Sequence, residues 1–94
     1  MSTETTKSFD LGRILVTMGA KDAIQDSLAK MSEILTRHKN CDWGDVDDED
    51  KSLNDTALKF GARVLSSYTI DGHKIWVITE ADRSSTTILL PSEY

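Results

Sequence analysis

The 94-residue chain has one cysteine, two histidines and no long apolar run. A single cysteine, Cys41, excludes an internal disulfide framework and is typical of proteins in the reducing cytoplasm. No apolar run approaches the roughly 20 residues that cross a bilayer, and the polar N-terminus lacks the apolar stretch of a signal peptide. The sequence therefore predicts a cytoplasmic protein that does not enter a membrane.

Basic residues are also in short supply. The chain has 11 Lys and Arg residues against 16 Asp and Glu residues, which gives a net charge of −5. The stretch from Cys41 to Asp55 contains seven of those acids and a single base, so nearly all the net charge lies there. Proteins that bind a nucleic-acid backbone need clustered Lys and Arg, so we expect no direct contact with nucleic acid.

Motifs for catalysis and for metal or cofactor binding are missing as well. An EF-hand loop that began at Asp45 would have Asp50 where glycine is required and Thr56 where a bidentate Glu is required. Two histidines and one cysteine are too few for a zinc site, and no serine lies in a Gly-x-Ser-x-Gly elbow. We expect a protein that is not an enzyme and has no cofactor or metal; a looser Mg²⁺ or Ca²⁺ contact of the acidic stretch stays open.

The first half of the chain predicts a strand and a long helix. Residues 13–17 (RILVT) form a short β-branched run that indicates a buried strand, and Thr17 can cap the helix that follows. Apolar side chains and one histidine then recur at helical spacing and predict a helix of about five turns that Asn40 ends in the left-handed conformation. The positions of this stripe are Ile24, Leu28, Met31, Leu35 and His38.

The second half predicts another helix and three strands. Asp47 is a good N-cap with three acids in the first turn after it, and Gly61 ends that helix. The core face of this helix is predicted from Leu53, Ala57, Leu58 and Phe60. Asp71-Gly72 predicts a two-residue hairpin in which Ile70 faces His73, and a last strand covers residues 86–90.

The predicted fold class is α+β, with the order β-α-α-β-β-β: a small, mostly antiparallel sheet with two helices packed on one face. We expect a single domain over residues 11–94, preceded by a flexible tail over residues 1–10. The order of elements resembles that of RelE-type toxins, although this chain lacks their basic charge. A RelE-like descendant that acts on RNA or pairs with an antitoxin is therefore one alternative function.

Two surfaces are candidate binding sites. The first is the acidic segment with an exposed tryptophan, where carboxylates could imitate the phosphates of nucleic acid and meet a basic protein surface. The second is an apolar patch on the sheet face away from the helices, which predicts a homodimer or a bound partner. The residues of the first are Asp42, Trp43, Asp45, Asp47, Asp48, Glu49 and Asp50, and those of the second are Leu65, Trp76 and Ile78.

Three stretches, GRILVT, DWGDVDDEDKSLND and YTIDGHKIWVITEADRSSTTILLPSEY, resemble a family of small bacterial proteins carried on plasmids and prophages. Members are described only as plasmid-related proteins or as restriction-modification subunits. The resemblance implies a mobile-element setting, in which small acidic proteins blunt host defences, and it implies no catalytic residues. We therefore expect a non-enzymatic anti-defence protein that acts as a nucleic-acid mimic on a nucleic-acid-handling partner. The other alternative is an accessory protein whose acids only confer solubility.

Overall fold

The computed structural model describes residues 9–94, which form a four-stranded sheet and three α-helices. In chain order the elements are β1 (Arg13–Val16), α1 (Met18–Ala23), α2 (Leu28–Lys39), α3 (Asp48–Phe60), β2 (Val64–Ile70), β3 (His73–Thr79) and β4 (Ser85–Leu89). A single 3-10 turn (Pro91–Glu93) follows β4. The predicted α+β class and the broad order of elements are confirmed.

The sheet has the strand order β1-β4-β3-β2. β4 and β2 each pair antiparallel with β3, whereas β1 pairs parallel with β4. β1 and β2 are therefore the two edge strands, although one is the first strand and the other the second along the chain. The sheet is mixed, with the predicted antiparallel pairing over three of its four strands.

The hairpin forms as predicted. Ile70 pairs with His73, and the register continues along both strands to Val64 and Thr79. The two turn residues, Asp71 and Gly72, have φ angles of 51° and 82°, as a type I′ turn requires. Because a two-residue loop sets the pairing, the sequence alone specifies which side chains share a face.

The predicted five-turn helix is divided into α1 and α2. Gln25 and Asp26 both have positive φ angles (57° and 56°), and Ser27 caps α2 by accepting a hydrogen bond from the Lys30 amide. The division lets Ile24 enter the core while Leu28 stays 77% exposed, so the two do not share one continuous stripe. The predicted left-handed C-cap is displaced too: Asn40 has φ −93°, and the residue after it takes the positive φ.

Helix α3 begins and ends where predicted, but a different face is buried. The Asp47 carboxylate accepts a hydrogen bond from the Asp50 amide at the N-cap, and Gly61 takes the left-handed C-cap at φ 73°. Leu53 and Phe60 are 60% and 80% exposed, so their assignment to the core was wrong. The buried face instead contains Asn54 and Ala57, with Leu58 partly buried.

Asn54 explains that rotation of α3. Its side-chain amide donates to the Leu65 carbonyl (2.8 Å) and accepts from the Leu65 N–H (3.1 Å). Leu65 lies on β2, whose outer edge would otherwise present unpaired backbone groups, and such groups are costly to bury. Asn54 therefore occupies the buried face of α3, where a prediction from hydrophobic spacing expects an apolar side chain.

The main core lies between α1, α2 and the sheet face that they cover. Its buried members are Ala20, Ile24, Ile34, Tyr68, Ile75, Val77 and Ile88. A smaller cluster joins α3 to the end of β2 and contains Trp43, Ala57 and Val64. Phe9, within the predicted tail, packs against this second cluster, and residues 1–8 of that tail lie outside the described part of the chain.

Candidate functional site

The acidic segment (residues 42–50) runs from the end of α2 through the turn to the first turn of α3. All of its carboxylates are exposed, namely those of Asp42, Asp45, Asp47, Asp48, Glu49 and Asp50. With the rest of the stretch to Asp55 it contains seven of the 16 acids and nearly all of the net negative charge of the protein. The predicted acidic residues are therefore all exposed along one continuous segment.

Trp43 is the exception, because its side chain is only 4% exposed. The indole stacks on Phe9 and meets the His38 ring edge-on, with centroids 6.0 and 5.7 Å apart. Its Nε1 donates to the Asp55 carboxylate at 3.3 Å. The prediction of an exposed tryptophan is therefore wrong: a large apolar ring beside the second core cluster gains more by burial.

The backbone around Trp43 is joined to the outer edge of β2. Ser67 donates its N–H to the Trp43 carbonyl (3.0 Å), and the Asp45 N–H donates to the Ser67 carbonyl (2.6 Å). The Tyr68 hydroxyl donates to the Asp42 carbonyl at 2.6 Å, and burial raises the pKa of this tyrosine to about 12. These contacts attach the acidic turn to the sheet and, with Asn54, cover the β2 edge.

Three of the carboxylates stabilise the turn itself. Asp42 accepts from Arg37 Nε at 2.7 Å, and this hydrogen bond holds the pKa of the Asp42 carboxyl below its ordinary value. Asp45 accepts from the Thr69 hydroxyl at 2.8 Å, and Asp47 is the N-cap of α3. The remaining three acids, at positions 48–50, occupy the first turn of α3, where they interact favourably with the positive end of the helix dipole and face solvent.

Gly44 is the residue that allows this attachment. Its φ is 76°, and a Cβ at this position would overlap the Ser67 carbonyl oxygen and come within 2.7 Å of the Tyr68 ring. We expect Gly44→Ala to lower the free energy of unfolding by about 2–4 kcal/mol, the sum of left-handed strain and overpacking. The Gly72→Ala control also has positive φ but no atom within 4 Å. Gly72→Ala should lower the free energy of unfolding, measured with urea, by only about 1–2 kcal/mol. Equal losses for the two variants would contradict the close approach of Gly44 to β2.

The second predicted surface is partly covered. Ile78 is 4% exposed, and Leu65 and Trp76 are half-buried, so the patch is not the open apolar surface that was expected. The Tyr94 ring lies edge-on to Trp76 with centroids 5.7 Å apart, and the Arg63 guanidinium stacks on the same tyrosine. The chain after β4 therefore covers part of this face of the sheet, which sequence periodicity could not indicate.

A buried polar network crosses the helix-facing side of the sheet. His38 Nδ1 lies 2.5 Å from Ser66 Oγ, and Nε2 lies 2.9 Å from Thr79 Oγ1. Thr79 Oγ1 is 2.7 Å from Thr86 Oγ1, which donates to the Leu11 carbonyl at 2.7 Å. His38 and the three hydroxyl residues are all fully buried. One side chain of α2 thus connects three strands.

The donors and acceptors of the network determine the tautomer of His38. A hydroxyl has one proton, and that of Thr86 goes to the Leu11 carbonyl, so Thr79 must donate to Thr86. Thr79 then accepts from Nε2–H, which leaves Nδ1 to accept from the Ser66 hydroxyl. Burial, with a smaller contribution from Arg83, lowers the pKa of His38 from 6.5 to about 3, so the ring is neutral.

This network is not a catalytic pair. A serine beside a histidine could act as a nucleophile and base, but Ser66 and His38 are both 0% exposed and no substrate reaches them. The network satisfies hydroxyl groups that inward-facing strand positions bring into the core. The sequence signal that could have revealed it was present: a histidine on the apolar stripe of a helix, and serine and threonine at inward positions of the strands.

Arg83 is a further residue whose role sequence reasoning missed. Its guanidinium donates to the carbonyls of Ala62 (2.7 Å) and Glu80 (3.0 Å), and it lies over the Phe9 ring. The turn between β3 and β4, which reads as an ordinary solvated loop, therefore holds the C-terminal end of α3 against the sheet.

Other sites for chemistry are limited. An open groove of about 390 Å³ lies between Leu11 and the Leu28, Met31 and Leu35 side of α2, and Lys39 also lines it. Within residues 9–94, no three His, Cys, Asp or Glu side chains lie close enough together to hold a metal ion. No helix in the same range is long and apolar enough to cross a membrane. Comparison with protein-family models, curated proteins and solved structures gives no match.

Proposed function

We propose that this protein is a non-enzymatic interaction protein that binds a basic surface of a partner protein through the acidic segment. The observation that carries the proposal is that the segment is attached to the β2 edge through the backbone of Trp43 and Asp45 while its carboxylates stay exposed. A surface that is ordered before binding loses little conformational entropy on association. An acidic surface serving only for solubility needs no such attachment.

The arrangement of charge supports a partner that handles nucleic acid. Exposed acids at positions 45, 47, 48, 49 and 50 follow one another along a turn and a helix start, so they present closely spaced negative charges as a phosphate backbone does. Basic grooves attract such surfaces over long range and accelerate association. Together with the resemblance of the sequence to plasmid- and prophage-borne proteins, this favours an anti-defence role in the bacterial cytoplasm.

The structure indicates which acids to change. Asp42, Asp45 and Asp47 stabilise the turn, so altering them would confuse a loss of binding with a loss of folding. The triple variant Asp48→Asn, Glu49→Gln, Asp50→Asn removes exposed charge at nearly constant shape. A matched control, Asp22→Asn, Glu33→Gln, Glu80→Gln, removes the same charge from exposed positions elsewhere.

The experiment is capture from a bacterial host lysate with each tagged variant, followed by mass spectrometry. We expect proteins that bind the wild type and the control, are lost with the segment variant, and elute as salt rises, because exposed charges are screened over about 8 Å at physiological ionic strength. Identical captured proteins for all three chains would contradict the proposal and leave the acids as a solubilising helix start.

A further inference from the structure

The two edges of the sheet differ. The outer edge of β2 is covered by Asn54 and by the backbone of the acidic segment. β1 lies at the opposite end of the strand order, and no strand in residues 9–94 pairs with its outer edge. An open edge presents unpaired N–H and C=O groups, which are a template for another strand.

The groups that face this open edge can be named. Arg13 and Thr17 donate their N–H groups to Ser84 and Ile88 beside β1, both at 3.0 Å. Alternation along a strand directs Leu15 the same way and leaves the N–H and C=O groups of Ile14 and Val16 pointing outward. Two residues thus offer four backbone groups to a further strand.

The extended stretch at this edge has a clear centre. Gly12 has φ 65° and α1 starts at Met18, whereas Thr17 still has extended dihedrals of −72° and 159°. Residues 13–17 are therefore extended, and Leu15 is their midpoint. An antiparallel pair of two such stretches makes all four outward hydrogen bonds when Leu15 faces its own copy.

The side chains of β1 suit a contact with a second copy. Ile14 and Leu15 are 40% and 42% exposed, on opposite faces of the sheet. Between positions 11 and 20 the only charged residue is Arg13, in a chain whose net charge is −5. This stretch therefore adds no carboxylate of its own to a contact between two acidic chains.

We propose that two copies of this chain form a two-fold symmetric dimer by antiparallel pairing of their β1 strands. Leu15 lies on the symmetry axis against Leu15 of the other copy, and Ile14 of each copy lies opposite Val16 of the other. The two four-stranded sheets become one continuous eight-stranded sheet. The proposal concerns β1 and is independent of the acidic segment.

Charge complementarity supports a second copy as the occupant. In this register Arg13 of each copy lies opposite Thr17 of the other, on the same face of the sheet as Leu15. The Thr17 hydroxyl donates to the Glu93 carboxylate at 2.5 Å, which places a negative charge at that position. The pairing therefore places Arg13 of each copy near Glu93 of the other copy, so that one such contact lies on each side of the two-fold axis.

Charged substitutions at Leu15 test the dimer directly and distinguish a role in pairing from a role in the fold of one chain. Leu15→Lys and Leu15→Glu each place two like charges directly opposite each other at the closest type of antiparallel pair. We expect the wild type to sediment as a dimer and each variant to sediment as a monomer with wild-type circular dichroism. An equal mixture of the two variants should recover the dimer, because Lys then faces Glu.

The same substitutions at Leu53 are the control. This residue is 60% exposed on α3, away from β1, so Leu53→Lys and Leu53→Glu should each remain dimeric. A monomeric wild type at the highest soluble concentration would overturn the proposal, and so would Leu15 variants that stay dimeric. If the Leu15→Lys and Leu15→Glu variants are monomeric and fail to associate when mixed, the proposed register, in which Leu15 of one copy lies opposite Leu15 of the other, is overturned.

Discussion

Substituting His38 by alanine is expected to lower the free energy of unfolding by about 3–5 kcal/mol. The imidazole is fully buried and bonds Ser66 on β2 and Thr79 on β3. Alanine leaves a cavity and removes the acceptor of the Ser66 hydroxyl and the donor to Thr79, and an unsatisfied buried group costs more than the bond itself contributes. Urea unfolding followed by the fluorescence of Trp43, which contacts the ring, measures the loss.

Two further variants test that explanation. His73 is exposed at the start of β3, so His73→Ala should change stability by no more than about 0.5 kcal/mol. Ser66→Ala removes the donor to Nδ1, and the double variant with His38→Ala should lose less than the sum of the two single losses. Strict additivity would mean that the two side chains act separately and that the network is not a unit.

The second large effect is a loss of stability in mild acid. The pKa of His38 is about 3 in the folded chain against an ordinary 6.5, chiefly because of burial. Between these values the unfolded chain takes up a proton and the folded chain does not. The contribution of His38 to the free energy of unfolding should therefore have its full value above pH 6.5. It should fall by about 1.4 kcal/mol per pH unit as the pH drops toward 3.

The upper part of this range isolates the histidine. The carboxyl pKa values of Asp42, Asp82 and Glu93 are also lowered, but from 3.8, 3.8 and 4.5, so these groups contribute to the loss only nearer those values. Urea unfolding at pH 7, 6 and 5 is the measurement. His38→Gln should remove the slope between pH 6.5 and 5. A slope unchanged by His38→Gln would show that another group titrates.

Local chemistry made part of the structure predictable from the sequence. The Asp71-Gly72 turn sets the hairpin register, and the Asp47 and Gly61 caps set the ends of α3, because each depends on dihedral angles and hydrogen bonds within a few residues. Hydrophobic spacing was less reliable. It joined α1 to α2 across Gln25 and Asp26, since periodicity alone does not detect two residues with positive φ.

The candidate site shows the same division. Its acids were found from composition, and their exposure follows from the cost of burying charge. The burial of Trp43 could not be read from its neighbours, because the indole packs against Phe9, which lies 34 residues earlier in the sequence, as well as against His38 at the end of α2. The hydrogen bond of Asp45 to the Thr69 hydroxyl likewise depends on where the turn meets β2.

The sequence by itself determined the α+β class, the hairpin, the caps of α3 and the concentration of negative charge in one segment, all of which depend on short-range geometry or on composition. Only the tertiary structure decided the strand order, which leaves β1 as an open edge and covers β2 with Asn54 and the acidic turn. It also decided that His38 bonds two strands directly and a third through Thr79, instead of serving as one more apolar contact of a helix. The reason is physical: backbone edges and buried hydroxyl groups need partners, and long-range packing selects them.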